Sequence, residues 1–379
     1  MDLNLTLTET PKIHRIKKLK NSDSITPLKI DDINALVLLS RKYFPRSRDT
    51  SIDTLKKRTT DLYFKNGKLL PNVSPIVSRS ENGDVTGFLG VITKQFQYGD
   101  RNVTVANCHH LMATEQARKQ LMPIRLLQDF LSGPQDIFFS DNSVDSTRLL
   151  WKRLGGEPVI GESIYYKIPL RPVSFTASYA LKQYQNRIGN GVRSLASFTD
   201  TVAGKMRIPF FYKKKSENRF VPLSTVVMSV LLKKMKYFYH LFPHYDQSDI
   251  KRLFRLLEGE TRYGTLHKAA LMDKNNQPFG WFIYYARNGG ICEVIQAVSI
   301  PGKETELFNS LTWHAYSKGG VELSGRLMPS QLQTPFATKS VTLPGRMWTL
   351  MKSDDIELKH IIQSGSAFIT RLEGDLWVL

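Results

Sequence analysis

Residues 84–169 constrain the fold most strongly, because they place two long apparent strands, a helix and a short strand in a fixed order. Residues 86–98 and 102–112 predict consecutive antiparallel strands, with Tyr98-Gly99-Asp100 as the turn between them. An amphipathic helix follows, and then the short apolar run Ile137-Phe138-Phe139. Strands and helices that alternate in this way are typical of a compact α/β domain.

Further elements are predicted on both sides of this stretch. Apolar spacing predicts helices over 31–44 and 51–64, the second stopped by Asn66-Gly67, and a strand over 74–78. The second half repeats the coarse order of the first, with helices over 223–239, 247–258 and 304–318, strands over 267–273, 280–286, 291–300 and 321–327, and two short strands within 366–378. This repetition indicates a tandem arrangement of one α/β fold.

The chain is therefore predicted to divide near its middle. We expect an N-terminal extension over 1–26, a first domain over 27–172, a helical and basic connector over 173–240 and a second domain over 241–379. A length of 379 residues suits two domains with cores of their own. With 41% apolar and 11% aromatic residues, the composition is that of a globular protein.

The cysteines and the apolar runs bear on the compartment. Cys108 and Cys292 lie far apart in apolar runs, which favours two buried thiols in a reducing compartment over a disulfide. The longest apolar stretch, 226–232, is far shorter than the roughly 20 residues that span a bilayer. The N-terminus lacks the apolar centre of a signal peptide, and no zinc-type Cys/His spacing occurs. We predict a soluble, cytoplasmic protein without a transmembrane segment or a metal.

The net charge of +19 calls for an anionic partner or a solvated basic surface. Basic residues are dense at 12–20, 205–215 and 233–236. Such a field attracts nucleic acid, anionic membrane, a polyanionic substrate or a phosphorylated cofactor, and charge alone does not choose among them. No helix-turn-helix, zinc finger, RNP-type strand or GXXG loop favours nucleic acid.

Two local patterns suggest a ligand. The strand end His110-Leu111-Met112-Ala113 leads to Arg118-Lys119-Gln120-Leu121-Met122-Pro123 and a helix, and Asn142 precedes Leu154-Gly155-Gly156. This order resembles the acyl-CoA-binding core of the GNAT family of N-acyltransferases. In that family a splayed β-bulge precedes a Q/R-x-x-G-x-G/A loop, whose backbone N–H groups cradle the coenzyme A pyrophosphate.

The resemblance implies tandem GNAT-like domains, each a mixed, mostly antiparallel sheet flanked by helices. It also implies acetyl-CoA or another acyl-CoA as a substrate and a small-molecule acceptor in the cleft between the halves. Leu121 and Pro123 replace the loop glycines, so the backbone cannot approach phosphate as closely, and Pro123 has no N–H to donate. Trp151 replaces a Tyr that often protonates the departing thiolate, and an indole N–H is no general acid at neutral pH.

Candidate site residues follow from this resemblance. His109, His110 and Glu115 are the candidates to accept a proton, and Tyr165 or Tyr166 is the candidate to replace Trp151 as the acid. Neighbouring strand residues point to opposite faces, so one of the two histidines is expected to face the cleft. The candidate cofactor-binding residues are Leu111, Met112, Ala113, Arg118, Lys119, Gln120, Leu121, Met122, Asn142 and Trp151.

The leading hypothesis is an acyl-CoA-dependent acyltransferase, first of all an N-acetyltransferase. Its acceptor would be an amine or hydroxyl of a small metabolite, amino acid or sugar. The overall pattern also resembles two-domain bacterial GNAT proteins, some of which accompany surface-polysaccharide synthesis. The second half is a poorer match, with Ser299-Ile300-Pro301-Gly302-Lys303-Glu304 at the loop and Glu293 and His314 as its polar candidates. The alternatives are a catalytically degenerate binding or scaffold protein, or a nucleic-acid or anionic-surface binder with salt-sensitive affinity.

Overall fold

The computed structural model covers most of the chain. It describes residues 23–44, 47–48, 50–64, 73–183, 190–208, 213–260, 263–287, 289–332, 334, 341–344 and 347–374. The predicted helix stop at Asn66-Gly67 lies outside the described residues, as do residues 1–22 of the predicted N-terminal extension.

The strands form two sheets within the described chain. They are β1 (Ser24–Pro27), β2 (Ile76–Arg79), β3 (Val85–Tyr98), β4 (Arg101–Ala113), β5 (Ile137–Ser143), β6 (Glu157–Pro158), β7 (Ile164–Pro169), β8 (Arg219–Pro222), β9 (Leu241–Pro243), β10 (Thr265–Met272), β11 (Pro278–Ala286), β12 (Ile291–Ser299), β13 (Glu322–Arg326), β14 (Val341–Pro344) and β15 (Trp348–Lys352). The first sheet has the order β1-β2-β3-β4-β5-β15-β6, with β9 paired to β3. The second sheet has the order β14-β7-β13-β12-β11-β10-β8.

Helices flank both sheets. They are α1 (Ile33–Tyr43), α2 (Ile52–Tyr63), α3 (Glu115–Lys119), α4 (Met122–Leu131), α5 (Asp145–Arg153), α6 (Pro172–Gln183), α7 (Asn190–Lys205), α8 (Thr225–Met235), α9 (Gln247–Gly259), α10 (Glu304–Ser317) and α11 (Ile356–Gln363). The predicted fold class is confirmed, since two mostly antiparallel sheets are each covered by helices.

The long hairpin that the sequence predicts is present. β3 and β4 pair antiparallel from Tyr98↔Arg101 to Gly87↔Ala113, as the turn at Gly99 requires. The predicted strands within 366–378 are wrong for the part that the structure describes. Residues 366–374 form turns and one isolated bridge at Ala367, while the remainder lies outside the described residues.

The two halves of the chain exchange strands. β15, from the C-terminal half, pairs with β5 and β6 in the first sheet. β7, from the N-terminal half, pairs with β13 and β14 in the second sheet. β7 lies inside the predicted first domain yet belongs to the second sheet. Its partners are β13 and β14, which lie more than a hundred positions further along the chain. The halves are therefore interlocked rather than placed side by side.

Helices α4 and α9 bury their apolar stripes in the core clusters of the two sheets. On α4, Leu126, Leu127 and Phe130 are buried and pack with Phe138 of β5 in one core cluster. On α9, the stripe joins a second cluster around Trp281. The C-terminal segment contributes to this second cluster, since the Phe368 ring lies 4.8 Å from that of Phe242.

A buried polar cluster joins the two sheets. The Arg326 side chain of β13 is 2% exposed, and its Nη1 lies 2.5 Å from Asp141 Oδ1 of β5. Nη1 also donates to Thr349 Oγ1 of β15 at 3.0 Å. Burial raises the pKa of nearby Glu162 to about 8, so this carboxyl stays protonated at neutral pH. Asp141 is therefore the carboxylate that balances the charge of Arg326 at the shortest distance.

The structure bears on two of the sequence predictions, the state of the cysteines and the presence of a membrane-spanning helix. Cys108 and Cys292 are buried free thiols, which confirms the prediction that they do not form a disulfide. Among the described residues, no helix is both long and apolar enough to cross a membrane.

Replacing Arg326 tests the buried cluster. The change Arg326→Met leaves Asp141 buried without its cation, which should lower the free energy of unfolding by about 3–5 kcal/mol. Urea titration followed by fluorescence measures this loss. Arg101→Met is the matched control, because Arg101 pairs with Asp136 and Asp355 at the surface and has a 46% exposed side chain. A loss no greater than that of the control would contradict the assigned role.

Candidate functional site

A large cleft opens where β4 and β5 separate. The two strands pair in parallel from Val105↔Ile137 to Asn107↔Phe139, and both continue past that point. The cavity measures about 1420 Å³ and is lined by both strands and by α1, α2, α5 and α9. A pocket for one small ligand typically measures roughly 300–1,000 Å³, so this cleft has room for two substrates.

A β-bulge shapes β4 at the cleft. Phe88 of β3 pairs with Met112 and Gly90 pairs with His109, so two residues of β4 face the single Leu89. His110, the first residue of the bulge, has a left-handed backbone with φ 51°. The predicted splayed bulge before the loop is therefore present, at the predicted strand end. A bulge frees a backbone group from the ladder and re-aims the neighbouring side chains.

The bulge places both histidines at the cleft. The expectation that one of them faces away is wrong, because the left-handed turn at His110 breaks the alternation of the strand. The rings of His109 and His110 lie 5.6 Å apart at an angle of 73°, and both residues line the cavity. His110 is half-buried, with its ring 4.6 Å from that of Phe44 on α1.

His109 is the more deeply buried of the pair. Its ring stacks on Tyr63 of α2 at 5.9 Å, with Tyr63 Oη 3.5 Å from Nδ1. Nε2 has no hydrogen-bond partner among the described residues. Burial, with a smaller contribution from neighbouring His110, holds the pKa of His109 well below its usual value, so the ring is neutral at physiological pH.

A second bulge shapes β5 on the opposite side. Ser140 pairs with Leu350 and Ser143 pairs with Trp348, so Asp141 and Asn142 together face one residue of β15. Asn142 is left-handed with φ 55°, a conformation that asparagine tolerates better than most residues. Asn142 is exposed and lines the cleft, while Asp141 is held by Arg326. Both walls of the opening are therefore shaped by bulges.

The segment predicted as a phosphate loop is mostly helical. Thr114 caps the five-residue helix α3 by accepting from Ala117 N at 3.3 Å. Leu121 then adopts φ 58° and ψ 24°, and α4 begins at Met122 with Pro123 in its first turn. The prediction of an open loop is corrected to a helix, a left-handed residue and a second helix. The backbone keeps the left-handed turn that a glycine would favour, although leucine occupies the position.

The charged side chains near this turn are already engaged. Arg118 Nε donates to Ala113 O at 3.0 Å, and its guanidinium lies 4.3 Å from the centre of the Tyr43 ring. Lys119 is exposed and lies 3.7 Å from the Glu115 carboxylate. Glu115, whose side chain is 82% exposed, lies at the surface and does not line the cleft.

The other predicted cofactor residues divide between the cleft and the core. Leu111 and Met112 line the cavity, whereas Ala113 and Met122 are buried beneath it. Gln120 follows α3 and is half-buried, and Leu121 is 42% exposed.

Trp151 forms part of the cleft wall. It is 1% exposed and lies 6.4 Å from Phe130, and its indole N–H has no partner among the described side chains and backbone. Gly156 packs against it, since a Cβ there would come within 2.6 Å of the indole. Gly155 ends the α5 turn with φ 84°. The predicted Leu-Gly-Gly motif thus positions this tryptophan.

Tyr165 is placed away from the histidines. It lies on β7 in the second sheet, opposite Arg326, and does not line the cleft. Its neighbour Tyr166 is fully buried in the core of the second half. The structure does not bring Tyr165 together with His109 and His110, because the strand exchange carries β7 into the other sheet.

The corresponding opening of the second half is bridged by the chain itself. β12 and β13 pair in parallel from Ile291↔Glu322 to Glu293↔Ser324 and then diverge. Arg371 donates to Glu293 Oε1 at 2.6 Å and to Val294 O at 2.9 Å. Gln331 donates to Ala297 O at 2.8 Å. Side chains from the C-terminal region therefore occupy the edge of β12, which corresponds to the edge of β4 that faces the cleft in the first half.

Sequence reasoning missed two contributors to the cleft. Tyr63 is one, and no local pattern marks it, because its contact with His109 spans 46 positions. The other is the basic face of α9, formed by Lys251, Arg252 and Arg255. Their spacing opposite an apolar stripe was a usable signal, but nothing in the sequence indicated that this helix lines the cleft of the first sheet.

Leu121→Gly tests the strain at the left-handed turn. The left-handed conformation costs a non-glycine residue about 1–2 kcal/mol. A glycine avoids this strain but loses roughly 0.5–1 kcal/mol more in chain entropy on folding, so the strain is equal to or larger than the entropy cost. We expect Leu121→Gly to leave the free energy of unfolding unchanged or raise it by up to about 1 kcal/mol. Gln120→Gly is the control, because φ at Gln120 is −94°, and it should destabilise the protein. Equal losses in urea titration would show that position 121 is unstrained.

Comparison with known proteins rests on structure. No protein-family model matches the sequence, and no curated protein matches it. A GCN5-related N-acetyltransferase from Anabaena variabilis is similar in structure, with a TM-score of 0.57, 12% identity and coverage of 88% of this chain and 73% of that protein. A GCN5-related N-acetyltransferase from Kribbella flavida is similar with a TM-score of 0.51 and 10% identity, and the match covers 87% of this chain and 71% of that protein.

A eukaryotic enzyme shares the arrangement. Saccharomyces cerevisiae N-myristoyltransferase, solved with bound myristoyl-CoA and inhibitors, gives a TM-score of 0.51 with 12% identity and covers 90% of this chain and 83% of that protein. These similarities extend over most of both chains, and the bulged, separated strands of the first sheet lie where the sequence resemblance placed them. The chain has the fold of the GCN5-related N-acetyltransferases.

Proposed function

We propose that the protein is an acyl-CoA-dependent acyltransferase, with acetyl-CoA as the first candidate donor and an amine as the first candidate acceptor. The observation that carries this proposal is the pair of bulged strands that separate around a cavity of about 1420 Å³, with two histidines on one wall. An amino sugar or amino acid acceptor, and a part in surface-polysaccharide synthesis, are the narrower forms of the same proposal.

The residues present fit a thioester donor at the opening between β4 and β5. Beyond Asn107 and Phe139 the two strands no longer pair, so an extended chain can lie along β4. The α3–α4 turn keeps its left-handed geometry at Leu121. Pro123 supplies no N–H, and the Arg118 side chain is bound to Ala113 O, so this turn offers fewer donors to a diphosphate than a glycine loop. Affinity for the donor should therefore depend more on the apolar walls than on the turn.

The proton that leaves the acceptor has a route through the histidine pair. As the acceptor nitrogen attacks the thioester carbonyl, the C–N bond forms, the C–S bond breaks and the nitrogen loses one proton. His110 is half-buried at the cleft and can accept this proton, whereas His109 behind it is neutral and buried. In this proposal a backbone N–H of the bulge, at His110 or Leu111, would stabilise negative charge on the carbonyl oxygen.

The thiolate that leaves needs no general acid. A thiol of ordinary pKa, about 8.5, gives a thiolate that can depart unprotonated near neutral pH. The Trp151 N–H has no partner among the described residues and can donate a hydrogen bond without transferring its proton. This assignment replaces Tyr165, which lies on the second sheet.

One half of the chain performs the reaction in this proposal. Arg371 and Gln331 bridge the edge of β12 in the second half, so an extended ligand has no free edge to follow there. The second half instead supplies α9, which covers the first cleft.

Donor binding is the first test. Calorimetric titration of acetyl-CoA should show binding, and Thr147→Trp should weaken it about tenfold or more, because Thr147 of α5 lines the cleft and an indole there fills the opening. Thr201→Trp on exposed α7 is the matched control. No binding of acetyl-CoA or coenzyme A to the unaltered protein would favour a scaffold that has lost its donor.

The histidine assignment predicts a graded loss of turnover. With a panel of amino acids and amino sugars, thiol release from acetyl-CoA should fall about 100-fold in His110→Gln. His109→Gln should have a smaller effect, since this ring is more deeply buried than His110, and His360→Gln, at an exposed position of α11, serves as the control. Equal activity of His110→Gln and the control would exclude His110 as the proton acceptor.

A further inference from the structure

One wall of the cleft is a basic helix from the other half of the chain. The inner side of α9 is buried through its apolar stripe, which consists of Ile250, Leu253, Phe254 and Leu257. The same helix presents Lys251, Arg252 and Arg255 to the cavity. Residues 251 and 255 are one helical turn apart, so their charges lie on the same face.

Helix α2 faces this wall with further cations. Lys57 and Arg58 line the same cavity. Arg58 crosses to the end of α9, where Nη1 lies 3.2 Å from Glu260 Oε2 and Nη2 donates to Gly259 O at 3.0 Å. This bridge closes one side of the cleft and fixes the distance between the two basic helices.

The acidic residues of the cavity pair with only part of this wall. They are Asp61, Asp141, Asp249 and Glu260. Asp141 pairs with Arg326 at 2.5 Å, outside the wall, and Glu260 is taken by Arg58. Asp249 completes the capping box of α9, because its carboxylate accepts from the N–H of the N-cap residue Asp246 at 3.1 Å, and Asp61 has an interaction of its own.

An excess of positive charge therefore remains at the mouth. Lys57, Lys251 and Arg255 have no ion-pair partner among the residues that the structure describes. Arg252 has a distant one, 3.9 Å from Asp249. Charges of one sign in a cleft with low-dielectric walls concentrate ligands of the opposite sign.

We propose that the acceptor carries a negatively charged group, a phosphate or a carboxylate, which the basic faces of α9 and α2 bind. This proposal rests on the acyltransferase function proposed above. The acyl donor's own phosphates are assigned elsewhere, to the turn over residues 118–122, and none of those residues lines the cavity with the wall. The wall comes from the half of the chain that contributes no strand edge to the donor, so it selects the acceptor.

Anion titration tests this wall without knowledge of the acceptor. Inorganic pyrophosphate and citrate, titrated into the full chain saturated with acetyl-CoA, represent the phosphate and carboxylate sources. We expect at least one of them to bind, with affinity that falls as ionic strength rises from about 0.05 to about 0.5 M. Lys251→Ala/Arg255→Ala should weaken that binding about tenfold or more. Lys205→Ala/Lys233→Ala removes the same charge from exposed positions of α7 and α8, which do not line the cleft, and should leave anion binding unchanged.

Three outcomes overturn the proposal. One is that neither anion binds, and another is that both double variants weaken binding equally, which would reflect net charge alone. The third is that Lys251→Ala/Arg255→Ala weakens the binding of acetyl-CoA by the same factor as the binding of the anion, because the wall would then hold the donor. If acetyl-CoA fails to bind the unaltered protein, the acyltransferase function fails, and the same anion titration on the unliganded chain still decides whether the wall binds anions.

Discussion

The ion pair between Arg326 and Asp141 is the contact on which the cleft depends. Arg326 lies on a strand of the second sheet, Asp141 lies in the bulge that opens β5, and both side chains are 2% exposed. A charge that deep is stable only with its partner, so the pair holds the bulge against the other half of the chain. Protonated Glu162 and the Thr349 hydroxyl complete the cluster without adding charge.

Strand exchange makes this arrangement rigid. β15 borders β5 in the first sheet and β7 borders β13 in the second, so neither sheet is complete without residues from the opposite half. The cleft can then be built from both halves: the first gives the bulged strands and the histidines, and the second gives the basic helix α9.

Local patterns predicted the elements well, and long-range pairing set the limit. The hairpin of β3 and β4, the apolar stripe of α4 and the repeated order of the second half follow from spacing that is visible in the sequence. The exchange of β7 and β15 does not, because strand partners far apart in sequence leave no local mark. The positions of Tyr165 and of α9 both follow from that topology. The left-handed residue at His110 was equally hidden, since a non-glycine bulge has no compositional signal.

The α3–α4 turn separates backbone geometry from side-chain identity. Leu121 holds φ 58°, as a glycine at this position would, although leucine is disfavoured there. The fold therefore determines this conformation through the packing of α3 and α4, and glycine is not needed to form the turn. What the missing glycines would have added is access, because a Cβ and a proline ring now stand where a phosphate would meet backbone N–H groups. In the proposed acyltransferase the loss would lie in binding the donor's phosphates, while the cleft between β4 and β5 keeps its shape.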